Sequence, residues 1–429
     1  MIFSVNSNFL IWAAFAACMI IFVFPLFLLG TVTPSLVKYT VDSLEDSGKI
    51  VGMLNASNTI GSILGTFLPT FVTIPTVGTS VTFLIFAAIL LALAVIYFVS
   101  SREKSVKAVV GSILFVVCCI FGSSDSFAFW EQDLTYEGES VYNYLQVRED
   151  DQNVILSTNV LFGVQSIYKK NGALTGMYYD YALAAPYMAG VREKDRLDVL
   201  ILGMGTGTFA TQCKKYFPNM NMEGVEIDED ITALAVEYFH LPEDVPVTTY
   251  DGRAYLNAVD EKYDVIMVDA YQDITIPFQM SSLEFFTLVK EHLRDDGIMV
   301  VNMNMRGREE GNINQYLADT IAQVFSEVYT VDVTGSTNRE LFASNNPDMR
   351  KVFEQNTALE EDDGLSAMMQ RVGEHLTVYE SGGYLMTDDQ APVELLGMRV
   401  IDDLIADEVK YYKELYRQEG LQGLLDTLL

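Results

Sequence analysis

An apolar, membrane-spanning helical region, followed by an α/β domain with a parallel sheet that is entered through a small antiparallel β subdomain, is the fold class this sequence predicts. Three observations carry it. The long apolar runs are confined to the first 122 residues, residues 140–170 alternate in short stretches separated by turn residues, and residues 198–303 switch regularly between strand-like and helix-like segments.

The charge divides in the same way. Residues 1–122 carry five Lys/Arg and four acids, so of the 27 bases and 58 acids in the chain, 22 and 54 lie beyond them. A field that negative repels nucleic acid, which is excluded as a partner, and concentrates small polycations; it equally suits a merely soluble surface. Cys18, Cys118 and Cys119 lie in apolar runs and Cys213 in a helical segment, a spacing that indicates neither a disulfide framework nor a zinc site. His240, His292 and His375 stand apart from other ligand types, so no metal and no histidine-driven chemistry is expected.

Four apolar stretches are long enough for helical spans: 9–30, 51–74, 80–99 and the shorter 106–122. The first lacks a basic leader and is followed by further spans, which argues against a cleaved signal peptide. Gly61 and Gly65 in the second have the four-residue spacing that lets helices approach closely in lipid. Residues 123–139 read as a polar linker. Together with the alternating runs Val141–Val147, Asn153–Leu156 and Val164–Tyr168 they make up a region, 123–175, of linker and small β subdomain. The α/β domain takes 176–429. Its elements are a helix near 177–190, strands at 198–203, 222–227, 246–250, 263–269 and 297–303, and helices at 206–217, 229–239, 252–259 and 281–294, an alternation that implies a parallel sheet with helices on both faces.

The chemistry follows the strand ends. Asp198–Leu202 runs into Gly203-Met204-Gly205-Thr206-Gly207 and then a helix, a turn in which glycines let a ligand approach the backbone. Glu226, closing the second strand about 20 residues later with Ile227 and Asp228, stands where an acid accepts ribose hydroxyls. Asp251-Gly252 ends the third strand, where a carboxylate can take an adenine amino group and glycine leaves room for the ring. Such acids can also be helix caps. Thr208 breaks the G-x-G-x-x-G pyrophosphate fingerprint, which weakens a dinucleotide site. The fourth strand delivers Asp269, which could orient and deprotonate an attacking amine, cap the next helix, or hold the ligand only.

Taken together, Tyr178 and Pro186, the Gly203–Gly207 loop, Glu226-Ile227-Asp228, Asp251-Gly252, Asp269 and the run Thr387-Asp388-Asp389-Gln390-Ala391-Pro392-Val393-Glu394 resemble the polyamine aminopropyltransferases of the spermidine synthase family. The apolar half, notably Asn58–Gly65, is similar to that of the membrane-fused branch. The resemblance implies a small β subdomain followed by a Rossmann-like, methyltransferase-type sheet. It further implies that Gly203, Gly205, Gly207, Glu226, Asp228, Asp251 and Gly252 bind decarboxylated S-adenosylmethionine or S-adenosylmethionine, that Asp269 is the catalytic carboxylate, and that Tyr178 and Tyr179 line a polyamine pocket. Three departures stand out: Thr206 replaces an acid of the glycine loop, Tyr142-Asn143 replaces Tyr-Gln, and Gln272 replaces a second acid, with Asp180 or Asp273 as candidates to compensate.

Three functions compete: aminopropyl transfer from decarboxylated S-adenosylmethionine to a small polyamine or other amine acceptor, methyl transfer from S-adenosylmethionine, and binding of a nucleoside or polyamine without turnover. The bilayer is the expected surrounding of residues 1–122, the cell membrane the expected location, and a homo-oligomer is left open. Bases in the first and third connecting loops would put the large domain on the opposite side by the positive-inside rule. Adenosyl compounds are made in the cytosol, so the domain is assigned there.

Overall fold

A computed structural model describes residues 9–41, 47–101, 106–122, 133–158, 164–271, 276–305, 307 and 310–428. They fall into two compact units, one of residues 13–148 with 157–162, the other of 1–12, 149–156 and 163–429.

In the first unit the apolar stretches form α1 (Phe9–Gly30), α3 (Ser47–Leu68), α4 (Ile74–Ser100) and α5 (Val106–Gly122), with a short α2 (Val32–Thr40) that the sequence does not announce. A π-helical turn over Pro69–Thr73 joins α3 to α4. Gly78, at φ +74°, breaks the helix again, which is why the apolar pattern divides near 74–80. Beyond it the helix restarts on a carboxylate: Glu139 accepts from the Thr79 backbone N–H and, at 2.7 Å, from its hydroxyl. Among the described residues, a Cβ added to Gly61 or Gly65 would meet nothing within 4 Å, so both face open space in the single chain. Residues 134–139 are not linker but strand: β1 (Leu134–Glu139) pairs antiparallel with β2 (Tyr144–Glu149). Backbone pairing with β2 overrides the polar, glycine-containing composition of this segment.

In the second unit β3 (Asn153–Ser157) and β4 (Ser166–Lys169) form another antiparallel pair. The helix expected at 177–190 is two short ones, α6 (Tyr178–Ala182) and α7 (Ala184–Met188), since Pro186 lacks the N–H that a continuous helix would use. There follow β5 (Leu197–Leu202), α8 (Thr208–Tyr216), β6 (Met220–Glu226), α9 (Glu229–Tyr238), β7 (Val247–Thr249), α10 (Gly252–Leu256), β8 (Tyr263–Val268), α11 (Leu283–Glu291) and β9 (Leu293–Met303). The sequence reading goes no further than this. The chain continues through α12 (Ile313–Ala322), β10 (Glu327–Asp332), β11 (Arg339–Ser344), α13 (Met349–Thr357), α14 (Asp363–His375), β12 (Thr377–Val378) and α15 (Val393–Leu428).

The sheet order is β12-β10-β11-β9-β8-β5-β6-β7. Strands β7, β6, β5, β8 and β9 are parallel, and β11, β10 and β12 extend them antiparallel. Both faces are covered. Ile201, Met267 and Val300 meet the layer containing Tyr187, Phe209, Phe353 and Met369, while Leu202, Ile266 and Val301 meet Phe285, Phe286, Leu317 and Ile321. This double burial is what makes these strands read as continuous apolar runs. Connections leave β5 toward β6 on one side and return to β8 on the other, which opens a crevice at the strands' C-terminal ends.

Candidate active site

The glycine loop occupies that crevice. Gly203, Gly205 and Gly207 have φ of +85°, +54° and +77°. A Cβ on Gly203 would come within 2.5 Å of the Asp269 carbonyl oxygen, and one on Gly207 within 2.4 Å of Leu241 Cδ1. The first loop therefore lies directly against the backbone of the fourth strand's end, a closeness that no other residue type allows.

Glu226 ties the second strand to this loop: its Oε2 accepts from the Gly205 N–H at 2.8 Å and its Oε1 from the Asp228 N–H at 3.1 Å. Burial pushes its pKa up, against the pull of those backbone donors. Asp228 is buried and caps α9, accepting from the Asp230 N–H at 3.2 Å. Asp251 caps α10 through Oδ1 (Ala254 N–H, 2.8 Å), and its Oδ2 accepts from Gln279 at 3.3 Å. Gly252 is buried, with Met280 Cε 3.2 Å from where its Cβ would be. The helix-cap alternative holds for Asp251, whose second oxygen is turned toward Gln279.

Asp269 gathers the site. Its Oδ2 accepts from the Tyr178 hydroxyl at 2.8 Å across 91 residues of sequence, and its Oδ1 from Asn302 Nδ2 at 3.0 Å. It keeps some solvent access, yet enough protein surrounds the carboxyl that burial, reinforced by the charge of Glu226, raises its pKa to about 7 despite the two donors. Tyr178 is pushed well above the usual phenol range by burial and by Asp269, so it stays a donor. Its ring packs on that of Tyr179, centroids 3.9 Å apart, and the Tyr179 hydroxyl donates to the Gln165 carbonyl.

Other expected residues have different surroundings. Asp180 is buried and accepts from the Thr175 N–H (3.1 Å) and hydroxyl (2.9 Å), the Gly176 N–H (2.5 Å) and Gln212 (2.7 Å), so its oxygens hold the segment before α6 to α8. Thr206 is fully buried beside Ser166 and Thr208 rather than facing open space. Gln272 and Asp273 lie outside the described residues. The Thr387–Glu394 run clamps α10: Asp388 takes both guanidinium nitrogens of Arg253 at 2.7 Å and the Ser282 hydroxyl at 2.5 Å. Because that pair is partly exposed, Asp388→Ala is expected to lower unfolding stability by only about 1 kcal/mol, measurable by denaturant titration.

Asn302, Asn338 and Gln279 escape the sequence reading. Asn338 donates to Asn302 Oδ1 at 2.8 Å and so fixes which end of the amide faces Asp269. The available signal was Asn302 itself, a polar residue inside the run Val300-Val301-Asn302-Met303, since a polar group in a buried strand must have a partner.

Known proteins resemble this chain in sequence. Residues 183–338 match the model of the spermine/spermidine synthase domain. A probable polyamine aminopropyl transferase from Bifidobacterium longum (strain NCC 2705) is 51% identical over 350 residues, 77% of each chain. A polyamine aminopropyltransferase from Vibrio vulnificus (strain CMCP6) is 25% identical over 240 residues, 54% of this chain and 78% of its own. Among solved structures, a probable spermidine synthase from Corynebacterium glutamicum ATCC 13032 aligns with 59% of this chain and 95% of its own, at 18% identity and a TM-score of 0.44. The chain belongs to the polyamine aminopropyltransferase family, the spermidine synthase-type transferases, and its N-terminal apolar extension fits the fused branch of that family.

Proposed function

We propose that the protein transfers an aminopropyl group from decarboxylated S-adenosylmethionine to a small di- or polyamine, with Asp269 as the base. The carrying observation is the Asp269 carboxyl, fixed by Tyr178 and Asn302 at the switch point, against the glycine loop. In this account Gly203, Gly205 and Gly207 let the nucleoside lie against the loop, Glu226 accepts from the ribose and Asp251 Oδ2, on the side turned toward Gln279, accepts from adenine. Asp269 takes the proton that the attacking nitrogen sheds as its lone pair forms the new C–N bond. The C–S bond breaks, its electron pair stays on sulfur, and methylthioadenosine leaves. A carboxyl raised to about 7 is a stronger base than an ordinary one, half ionised near neutral pH and increasingly so above it. Tyr178 and Asn302 act by orientation, since each can only donate to it in this arrangement.

Calorimetry on the purified full-length protein tests the assignment. Tighter binding of the decarboxylated than of the carboxylated nucleoside is expected; the reverse preference would favour methyl transfer.

We further propose that residues 1–122 anchor the protein in the cell membrane by several passes, with 123–175 as linker and small β subdomain and the nucleoside-binding part, 176–429, in the cytoplasm. Phe15–Thr40 and Ser47–Ser100 are long and apolar enough to cross a bilayer. Their large side chains face outward, with Ile20 82% and Phe24 68% exposed, and so does Phe121 at 80% on α5, a pattern suited to lipid rather than water. Alkaline carbonate is expected to leave the protein in the membrane pellet. Its appearance in the supernatant would rule out an integral anchor.

A further inference from the structure

The acceptor of the proposed reaction is a dication or larger, and one carboxylate at Asp269 meets only one of its ends. Of the substitutes suggested by sequence, Asp180 has its oxygens taken up by four donors, and Asp273 lies outside the described residues. A different acid is in place. Glu340 is fully buried, and among the described residues neither of its carboxyl oxygens has a hydrogen-bond partner. Leaving a carboxyl in that condition costs several kcal/mol, about 2–7 even for a neutral polar group.

Sheet register shows where Glu340 sits. Val268 pairs with Val301, so Asp269 stands beside Asn302, and Glu340 is the direct cross-strand partner of Asn302 on β11. Side chains on paired positions share a face, and Met267, Val300 and Phe342, two residues away on each strand, all lie in the same core layer as Tyr178. Asp269, Asn302 and Glu340 therefore form a polar row across three strands, with the two acids roughly 10 Å apart at their Cα atoms, two strand spacings. Asn302 uses its amide nitrogen on Asp269 and its oxygen on Asn338, so it has not satisfied Glu340. Burial and the charge of Asp269 hold the Glu340 carboxyl well above the ordinary range, a penalty that a cation placed against it would relieve.

We propose that Glu340 is a specificity-determining residue which pairs with the distal ammonium of the acceptor, while Asp269 serves the reacting nitrogen. This rests on the aminopropyl-transfer assignment and adds to it the residue that holds the far end of the acceptor. The acid is contributed by the antiparallel extension of the sheet.

The test compares wild type and Glu340→Gln, both full-length, with saturating decarboxylated S-adenosylmethionine and either a short α,ω-diamine or the monoamine of equal chain length. Wild type is expected to favour the diamine in kcat/KM. Glu340→Gln should lose about 10- to 100-fold with the diamine, mainly through KM, the scale of one charge-assisted contact, and change little with the monoamine or in nucleoside affinity. An equal fall of kcat with both amines, or a preserved diamine preference, would overturn the inference. If wild type transferred to neither amine, the aminopropyl assignment itself would fall, an outcome distinct from either. Glu340→Leu guards against a folding artefact: with an uncompensated carboxyl gone, its melting temperature should not drop, and the stabilisation that the diamine gives wild type should disappear. Retained stabilisation by the diamine in that variant would count against the proposal.

Discussion

An Asp269→Asn variant is expected to bind S-adenosyl nucleosides as wild type does and to turn over about 10²–10⁴-fold more slowly. The amide keeps the shape and can accept from Asn302 through its oxygen while its nitrogen donates to the Tyr178 hydroxyl, so the surrounding geometry survives. Only the capacity to take a proton is gone. Wild-type kcat/KM should rise through pH 7 as the carboxyl ionises, because its pKa stands at about 7, and the variant should lack that limb. Stability should move the opposite way to activity. The folded pKa lies above the ordinary value of 3.8, so the stability this group contributes is present below about pH 4 and is lost as the pH rises through 7. Removing the ionisable group should therefore stabilise the protein at pH 8, by up to about 2–4 kcal/mol, and have little effect near pH 4. A variant that lost affinity and rate together would mark Asp269 as a nucleoside ligand only.

The second large effect concerns Glu226. Glu226→Ala should weaken nucleoside binding by about 1.5–3 kcal/mol, from the loss of a charged acceptor and of the tether to the Gly205 N–H. The rate at saturating nucleoside should change far less. Because the Glu226 charge helps to hold the Asp269 carboxyl up, the rising limb of the pH profile should shift to lower pH in the variant. Unchanged affinity in a folded Glu226→Ala protein would remove the ribose assignment and leave Glu226 as a loop brace.

What the sequence discloses and what it hides have physical causes. Strands β5, β8 and the second half of β9 are legible because burial on both faces leaves little room for anything but apolar residues, and β6 by the alternation of Met220 and Met222 with polar neighbours; Gly203, Glu226 and Asp269 follow at the C-terminal ends of β5, β6 and β8. The helices of 1–122 are legible for a different reason, the length of their apolar runs. Strand β1 is hidden: Thr135, Glu137, Gly138 and Glu139 make it look like linker, and only its pairing with β2 reveals it. The antiparallel half of the sheet goes unread, and with it the residues that complete the site. Tyr178 meets Asp269 across 91 residues, and Asn338 meets Asn302 across 36, distances over which periodicity carries no information. Asp180 shows the converse, since residue type suggested a ligand contact where the fold uses its oxygens as a loop anchor.

Product analysis tests the central claim most directly. Full-length protein in detergent or native membranes would be supplied with decarboxylated S-adenosylmethionine and a diamine, and with S-adenosylmethionine in parallel, and all products identified by mass spectrometry. The account predicts methylthioadenosine and the aminopropylated amine in a one-to-one ratio from the first mixture, with Asp269→Asn reducing both together. Formation of S-adenosylhomocysteine and a methylated acceptor from the second, with no aminopropylated amine from the first, would contradict it.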